Sequence, residues 1–183
     1  MLNATTDPYS HGLIESKIWL AEKLETFKLT RFDNIYLLGG WAGLMGFILY
    51  IRGNVSFNKL YNIDINPSAV EQSKFVLDVI RCQTKLECLV CDALDVEYDK
   101  GNNLIINTSA DNMDNNDWLS KIPQGSTVVI QSRTGNHSDN YFPVKNLDHF
   151  NLLYNLDKAV YLGQKVFDYP QNSYIRFMKI GLK

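Results

Sequence analysis

The chain has no run of about 18 apolar residues, so no membrane-spanning helix is expected. Its opening stretch, MLNATTDPYSHG, lacks a basic segment followed by an apolar one, which argues against a secretory leader. Neither sign of charge dominates: 18 basic residues stand against 20 acidic, a net charge of −2. Without a global basic field there is no strong nucleic-acid signal, and a nucleic-acid partner would need a local patch. Cysteine is scarce and odd in number. Cys82, Cys88 and Cys91 read as free thiols in a reducing, cytoplasmic compartment. Repeats, low-complexity tracts and long linkers are missing as well.

What remains is an ordinary globular composition. The 183 residues are 45% hydrophobic and 21% charged, enough for a single domain with a full core over 1–183. Residues 11–28 place Leu13, Ile14, Ile18, Trp19, Leu20, Leu24 and Phe27 near helical spacing, with Ser10 as N-cap. Five apolar segments read as strands: 34–38, 59–65, 86–93, 102–109 and 126–132. Helical patterns at 42–51 and after Asn66-Pro67, and a short one in DNNDWLSKI, alternate with them. That alternation predicts an α/β fold: a Rossmann-like, doubly wound, mostly parallel sheet. LDKAVYLGQKVFDYP and NSYIRFMKIGLK, joined at Tyr169-Pro170-Gln171-Asn172, predict a C-terminal antiparallel β-hairpin closing one edge. Residues 1–30 then read as an N-terminal helical segment ahead of a 34–183 core.

The first strand runs into NIYLLGGWAGLMG, with glycines at 39, 40, 43 and 46. By itself this turn serves a nucleotide phosphate, an adenosyl cofactor or close helix–strand packing equally well. The spacing is not G-x-G-x-x-G, because Trp41 stands at the second glycine, and no G-K-[ST] follows, which excludes a P-loop. The second strand ends at Asp64, 25 positions after Gly39, where an acid can accept from both ribose hydroxyls. The third ends at Asp92, whose carboxylate can accept from an adenine amino group. Two loop acids that merely cap helices are the alternative.

LLGGWAG, YNIDINPSAV and LVCDAL together resemble the first three cofactor motifs of class I S-adenosylmethionine-dependent methyltransferases, over residues 34–132. The resemblance implies S-adenosylmethionine as cofactor and an unidentified methyl acceptor. It implies that Gly39, Gly40, Trp41 and Gly43 approach the methionine moiety. Asp64 then holds the ribose with Ile65 beside the adenine, and Asp92 takes the adenine amino group with Ala93 as neighbour. Two positions depart from the family pattern: Leu37 replaces its acid and Trp41 its second glycine. INTSADNMD, IPQGSTVVIQS and YIRFMKIGLK also look like small methyltransferase-like proteins of bacteriophages.

After the fourth strand, where the resemblance places the acceptor, the chain reads Asn107-Thr108-Ser109-Ala110. The Asp/Asn-Pro-Pro-aromatic motif of many amino-methylating members is missing, which disfavours a base amino group. Asn107, Asp111 and His137 are the candidate catalytic residues, with Asp114 a further possible base. The resemblance implies that residues 1–30 form an N-terminal helical lid on which His11, Glu15 and Lys17 are candidates for substrate contact, the alternative being an ordinary amphipathic helix packed on the sheet; Tyr141, Phe142 and Trp118 are candidates for an acceptor pocket. Cys88-x-x-Cys91 lies within a strand, where positions three apart face opposite sides, so two buried thiols are expected rather than a metal site. His11 and His149 are too scattered to be ligands. Three alternatives stay open: an NAD- or other nucleotide-dependent enzyme, another S-adenosylmethionine-using reaction, and a non-catalytic adenosyl-binding module, which the loss of the acid at Leu37 would suit.

Overall fold

The computed structural model describes residues 7, 9–80, 85–134, 141–169 and 172–183. Cys82 and His137 lie outside the described residues. A seven-stranded sheet runs in the order β3-β2-β1-β4-β5-β7-β6. Its parallel part consists of β1 (Arg31–Leu38), β2 (Ser56–Asp64), β3 (Lys85–Val90), β4 (Asn103–Asn107) and β5 (Thr127–Arg133). The hairpin strands are β6 (Lys158–Tyr169) and β7 (Asn172–Leu182). β7 lies antiparallel between β5 and β6, so of the two hairpin strands β6 is the one at a sheet edge.

β1 starts three residues earlier than its apolar run, because Arg31 and Asp33 alternate outward while Phe32 is buried. Alternation explains why its interior must be apolar on both faces. Ile35 and Leu37 pack under α1 (His11–Thr26) and α2 (Leu44–Arg52), whereas Tyr36 and Leu38 face the layer of α4 (Trp118–Lys121) and α5 (Leu147–Leu153). Each fully buried leucine here contributes about 1.5–3 kcal/mol. α3 (Pro67–Val76) begins as its sequence requires. Pro67 occupies the first turn and the Asn66 side chain accepts from the Ser68 and Ala69 N–H groups. Ser10 does sit at the start of α1, but its side chain makes no capping bond.

Several expected boundaries shift. β3 ends at Val90 and β4 at Asn107, so Asp92 and Ser109 lie on loops beyond their strands. α5 has no counterpart among the expected helices. Residues 91–102 carry no helix, which leaves Leu89 and Val90 of β3 exposed. Cys88 and Cys91 belong to opposite layers, as strand geometry requires, but both are half-buried rather than buried. Among the described residues no helix is long and apolar enough to cross a membrane.

Two polar devices lock the layers. Ser16 Oγ of α1 donates to Gln131 Oε1 on β5 (3.0 Å), and Gln131 Nε2 donates back to the Ser16 carbonyl (3.1 Å). Lys179 of β7 is buried, and its ammonium donates to the Tyr154 carbonyl (2.9 Å) and to Asn151 Oδ1 (2.7 Å) where α5 ends. Removing that donor leaves helix-end acceptors buried and unpaired. Lys179→Met is expected to lower stability by about 1–3 kcal/mol in urea unfolding, without changing the far-UV circular dichroism of the folded protein.

Candidate functional site

The turn after β1 is held from both neighbouring strands. Asp64 Oδ2 accepts from the Trp41 N–H (2.9 Å), and Oδ1 accepts from the Asn66 N–H (2.9 Å). Asn62 Nδ2 donates to the Trp41 carbonyl (3.1 Å). From the β4 side, Ser109 Oγ donates to the Gly39 carbonyl (3.1 Å). Gly39 has φ +59°, and Trp41 has φ +44°, a region that costs a non-glycine residue about 1–2 kcal/mol. The Asp64 and Asn62 bonds to its peptide groups stabilise this backbone. Gly40 meets Asn62 so closely that a Cβ would collide with its amide.

Next to this turn a cavity of about 1940 Å³ opens at the carboxyl ends of the parallel strands. It is larger than the roughly 300–1,000 Å³ of a typical small-ligand cleft. The structure brings Gly39, Gly40, Trp41, Asp64, Ile65, Asp92 and Ala93 together on its wall. Ile65 is 69% exposed, an apolar side chain on an open rim. Asp92 is exposed, with Oδ1 accepting from the Leu94 N–H (2.9 Å). Gly43 is not on the wall: it is the buried N-cap residue of α2, pressed against Leu77 and Ser73.

The far side is built from α1, β5, β7 and the loop after β4. Asp111 is on the wall yet only 2% exposed, and its Oδ2 accepts from Arg133 Nε (3.0 Å). Lys17 of α1 reaches Thr108, its Nζ donating to Oγ1 (3.1 Å), and Arg176 Nη1 donates to the Thr108 carbonyl (3.4 Å). Burial, reinforced by the Arg176 charge, pushes the Lys17 ammonium down to about 7. Asn107 does not reach the cavity. It is fully buried, accepts the Ser109 N–H (2.9 Å) and shapes the loop. Asp114, Tyr141, Trp118, His11 and Lys17 line the cavity. Phe142 and Glu15 do not: Phe142 packs in the α5 layer, and Glu15 accepts the Tyr169 hydroxyl (2.7 Å). Among the described residues no cluster of histidines, cysteines and acids is arranged to hold a metal.

No protein-family model and no curated protein matches the sequence. Solved structures do match. N-methyltransferase NodS from Bradyrhizobium japonicum WM9 is 11% identical, with 94% of this chain and 99% of that one covered and a TM-score of 0.66. Trm5 from Methanocaldococcus jannaschii in complex with adenosine is 17% identical, over 96% of this chain and 50% of that one, with a TM-score of 0.64. Magnesium protoporphyrin IX methyltransferase from Synechocystis PCC 6803, with bound SAM, is 7% identical over 92% and 79%, with a TM-score of 0.63. The fold is the class I methyltransferase fold.

Within the methyltransferase fold, the two departures from the motif find a physical account. Leu37, in the place of the usual acid, is 1% exposed and packs beneath α1 and α2. Trp41, in the place of the usual glycine, has a positive φ that favours glycine. Three contributors to the methyltransferase-fold site were not singled out from the sequence. Asn62 was signalled only as an amide inside a buried strand. Arg133 and Arg176 were signalled as cations in apolar strands, a costly placement that usually has a use.

Gly40→Ala is expected to cost about 1–3 kcal/mol and to loosen the turn, read by urea unfolding and by hydrogen exchange at the Trp41 amide. Lys17 has a folded pKa near 7, below its unfolded value of 10.5. The unfolded chain therefore holds more protons between those values, and the contribution of this group to stability rises with pH across that window. From pH 7 to pH 9 the wild type should gain about 2 kcal/mol relative to Lys17→Met in parallel urea titrations.

Proposed function

We propose that this cavity binds S-adenosylmethionine and that the protein transfers the cofactor's methyl group to an acceptor held on the α1 side. The observation that carries the reading is the placement of Asp64 and Asp92 at successive strand ends, on one cavity wall with the Gly39–Trp41 turn. Ligands of open parallel sheets sit at this crevice. Fold neighbours crystallised with S-adenosylhomocysteine, SAM or adenosine support the same choice.

In this reading Asp64 uses its remaining lone pairs for the ribose hydroxyls while still holding Trp41. Ile65 and Ala93 flank the adenine, and the Asp92 carboxylate accepts from its amino group. Gly39, Gly40 and Trp41 lie along the methionine moiety, and Gly43 acts through helix packing alone. Bound S-adenosylmethionine supplies an electrophilic methyl carbon on a sulfonium. The chain has to present an acceptor in line with that carbon and keep water away. Thr108 and Ser109 border that region. Asn107 fixes their loop, and Asp111, bonded to Arg133, serves as a fixed carboxylate rather than a proton acceptor. His137 stays a candidate base, although it lies outside the described residues. Ser16 and Gln131 pin the middle of α1, so we assign residues 1–30 the role of a cover whose first turn faces the acceptor. The scarce, odd-numbered cysteines support a reducing, cytoplasmic setting.

Calorimetric titration with S-adenosylmethionine, S-adenosylhomocysteine and NAD tests the reading. The two adenosyl ligands should bind. Asp64→Ala and Asp92→Ala should each weaken them at least tenfold, about 1.4 kcal/mol. Preference for NAD, or no adenosyl binding by the folded wild type, would overturn it.

A further inference from the structure

Three cations from three separate elements converge on one part of the cavity wall: Lys17 on α1, Arg133 at the end of β5 and Arg176 on β7. Among the described residues one carboxylate, Asp111, sits among them, and its Oδ2 is bonded to Arg133 Nε. Arg176 is 3% exposed. Its Nε has no hydrogen-bond partner among the described residues, and its Nη1 reaches a carbonyl only at 3.4 Å. Lys17 is 9% exposed, and its ammonium donates to a neutral hydroxyl. Desolvating a cation without an anion opposite it is costly. Asp111 acts on all three, so among the described residues three cations share one carboxylate, and a ligand in the cavity can bring a second counter-charge. Arginine forks suit carboxylates and phosphates in particular.

We propose that Lys17, Arg133 and Arg176 form an anion subsite for the acceptor, which makes the acceptor a small organic acid carrying a carboxylate or phosphate group. This rests on the methyl-transfer reading for the word acceptor. The sheet order separates the subsite from the adenosyl side, since β5 and β7 lie on the opposite side of β1 from β2 and β3. The cations are enclosed in a cavity and do not form a surface stripe, and the chain carries a net charge of −2. Both facts favour a small acid over a nucleic-acid polymer. The lowered pKa of Lys17 agrees with a site short of negative charge, and filling it should draw a proton from solvent near pH 8.

The test is calorimetric titration of sodium sulfate and, separately, sodium acetate into the protein saturated with S-adenosylhomocysteine. Arg176→Gln and Lys17→Met are titrated alongside the wild type. The wild type should bind one of the two anions in the millimolar range. Sulfate preference assigns a phosphate-bearing acceptor and acetate preference a carboxylate. Each variant should weaken the anion at least tenfold while keeping S-adenosylhomocysteine within about twofold, which also shows that it folds. The variants lie on different elements, so one that fails to fold leaves the other to decide. Equal anion binding in wild type and variants, or none in the wild type, overturns the proposal. It is also overturned if the variants lose S-adenosylhomocysteine tenfold but keep 5′-methylthioadenosine, which lacks the amino-acid carboxylate; the cations then serve the cofactor. If the wild type binds no adenosyl ligand, the methyl-transfer reading falls, and the same titration without it upholds or overturns the anion subsite.

Discussion

β1 is paired in parallel on both sides, with β2 on one and β4 on the other. The chain leaves β1 and β2 for helices on one face of the sheet, and it leaves β4 and β5 for short helices on the other. At the β1–β4 seam the connections diverge and leave a crevice between them. The cavity follows from that divergence. So does the need for a turn at Gly39 that hugs the strand ends instead of closing over them. Asp64 converts this constraint into a site, because one carboxylate fastens the turn through Trp41 and stands on the cavity wall.

Charge is divided across the same seam. The carboxylates of Asp64 and Asp92 sit beyond β2 and β3, while Lys17, Arg133 and Arg176 gather beyond β4, β5 and β7. The division places hydrogen-bond acceptors where nucleoside hydroxyl and amino donors would lie, and cations where an acid would lie. Thr108 connects the halves. Its hydroxyl and carbonyl each take a bond from a buried cation, and the next residue, Ser109, holds the Gly39 carbonyl.

The parallel α/β sheet was legible because β4, β5 and most of β1 are buried on both faces and read as apolar runs, and the class I resemblance rested on the motifs at the strand ends. The glycine turn, Asp64 and Asp92 were legible because each follows directly from a strand end. Gly43 and Asn107 were placed in the site by position along the chain, and both turn inward. Gly43 fills the contact with Leu77, and Asn107 closes its own loop. α5 escaped notice because seven residues are too few for a helical period to stand out beside Phe142 and Tyr154. Lys17 was legible as a helix residue and a candidate contact, but its burial was not, since α1 has charges on most of its turns.

The sequence alone determined the order and type of the strands and of every helix but α5, the turn at the switch point and the two strand-end acids. These are local consequences of apolar patterning, glycine conformation and distance along one chain. Only the tertiary structure decided that Lys17, Arg133 and Arg176 share a wall, that Asn62 supports Trp41 and that β7 inserts between β5 and β6. Each of these joins residues tens of positions or more apart, and no local pattern carries the sheet order that brings them together.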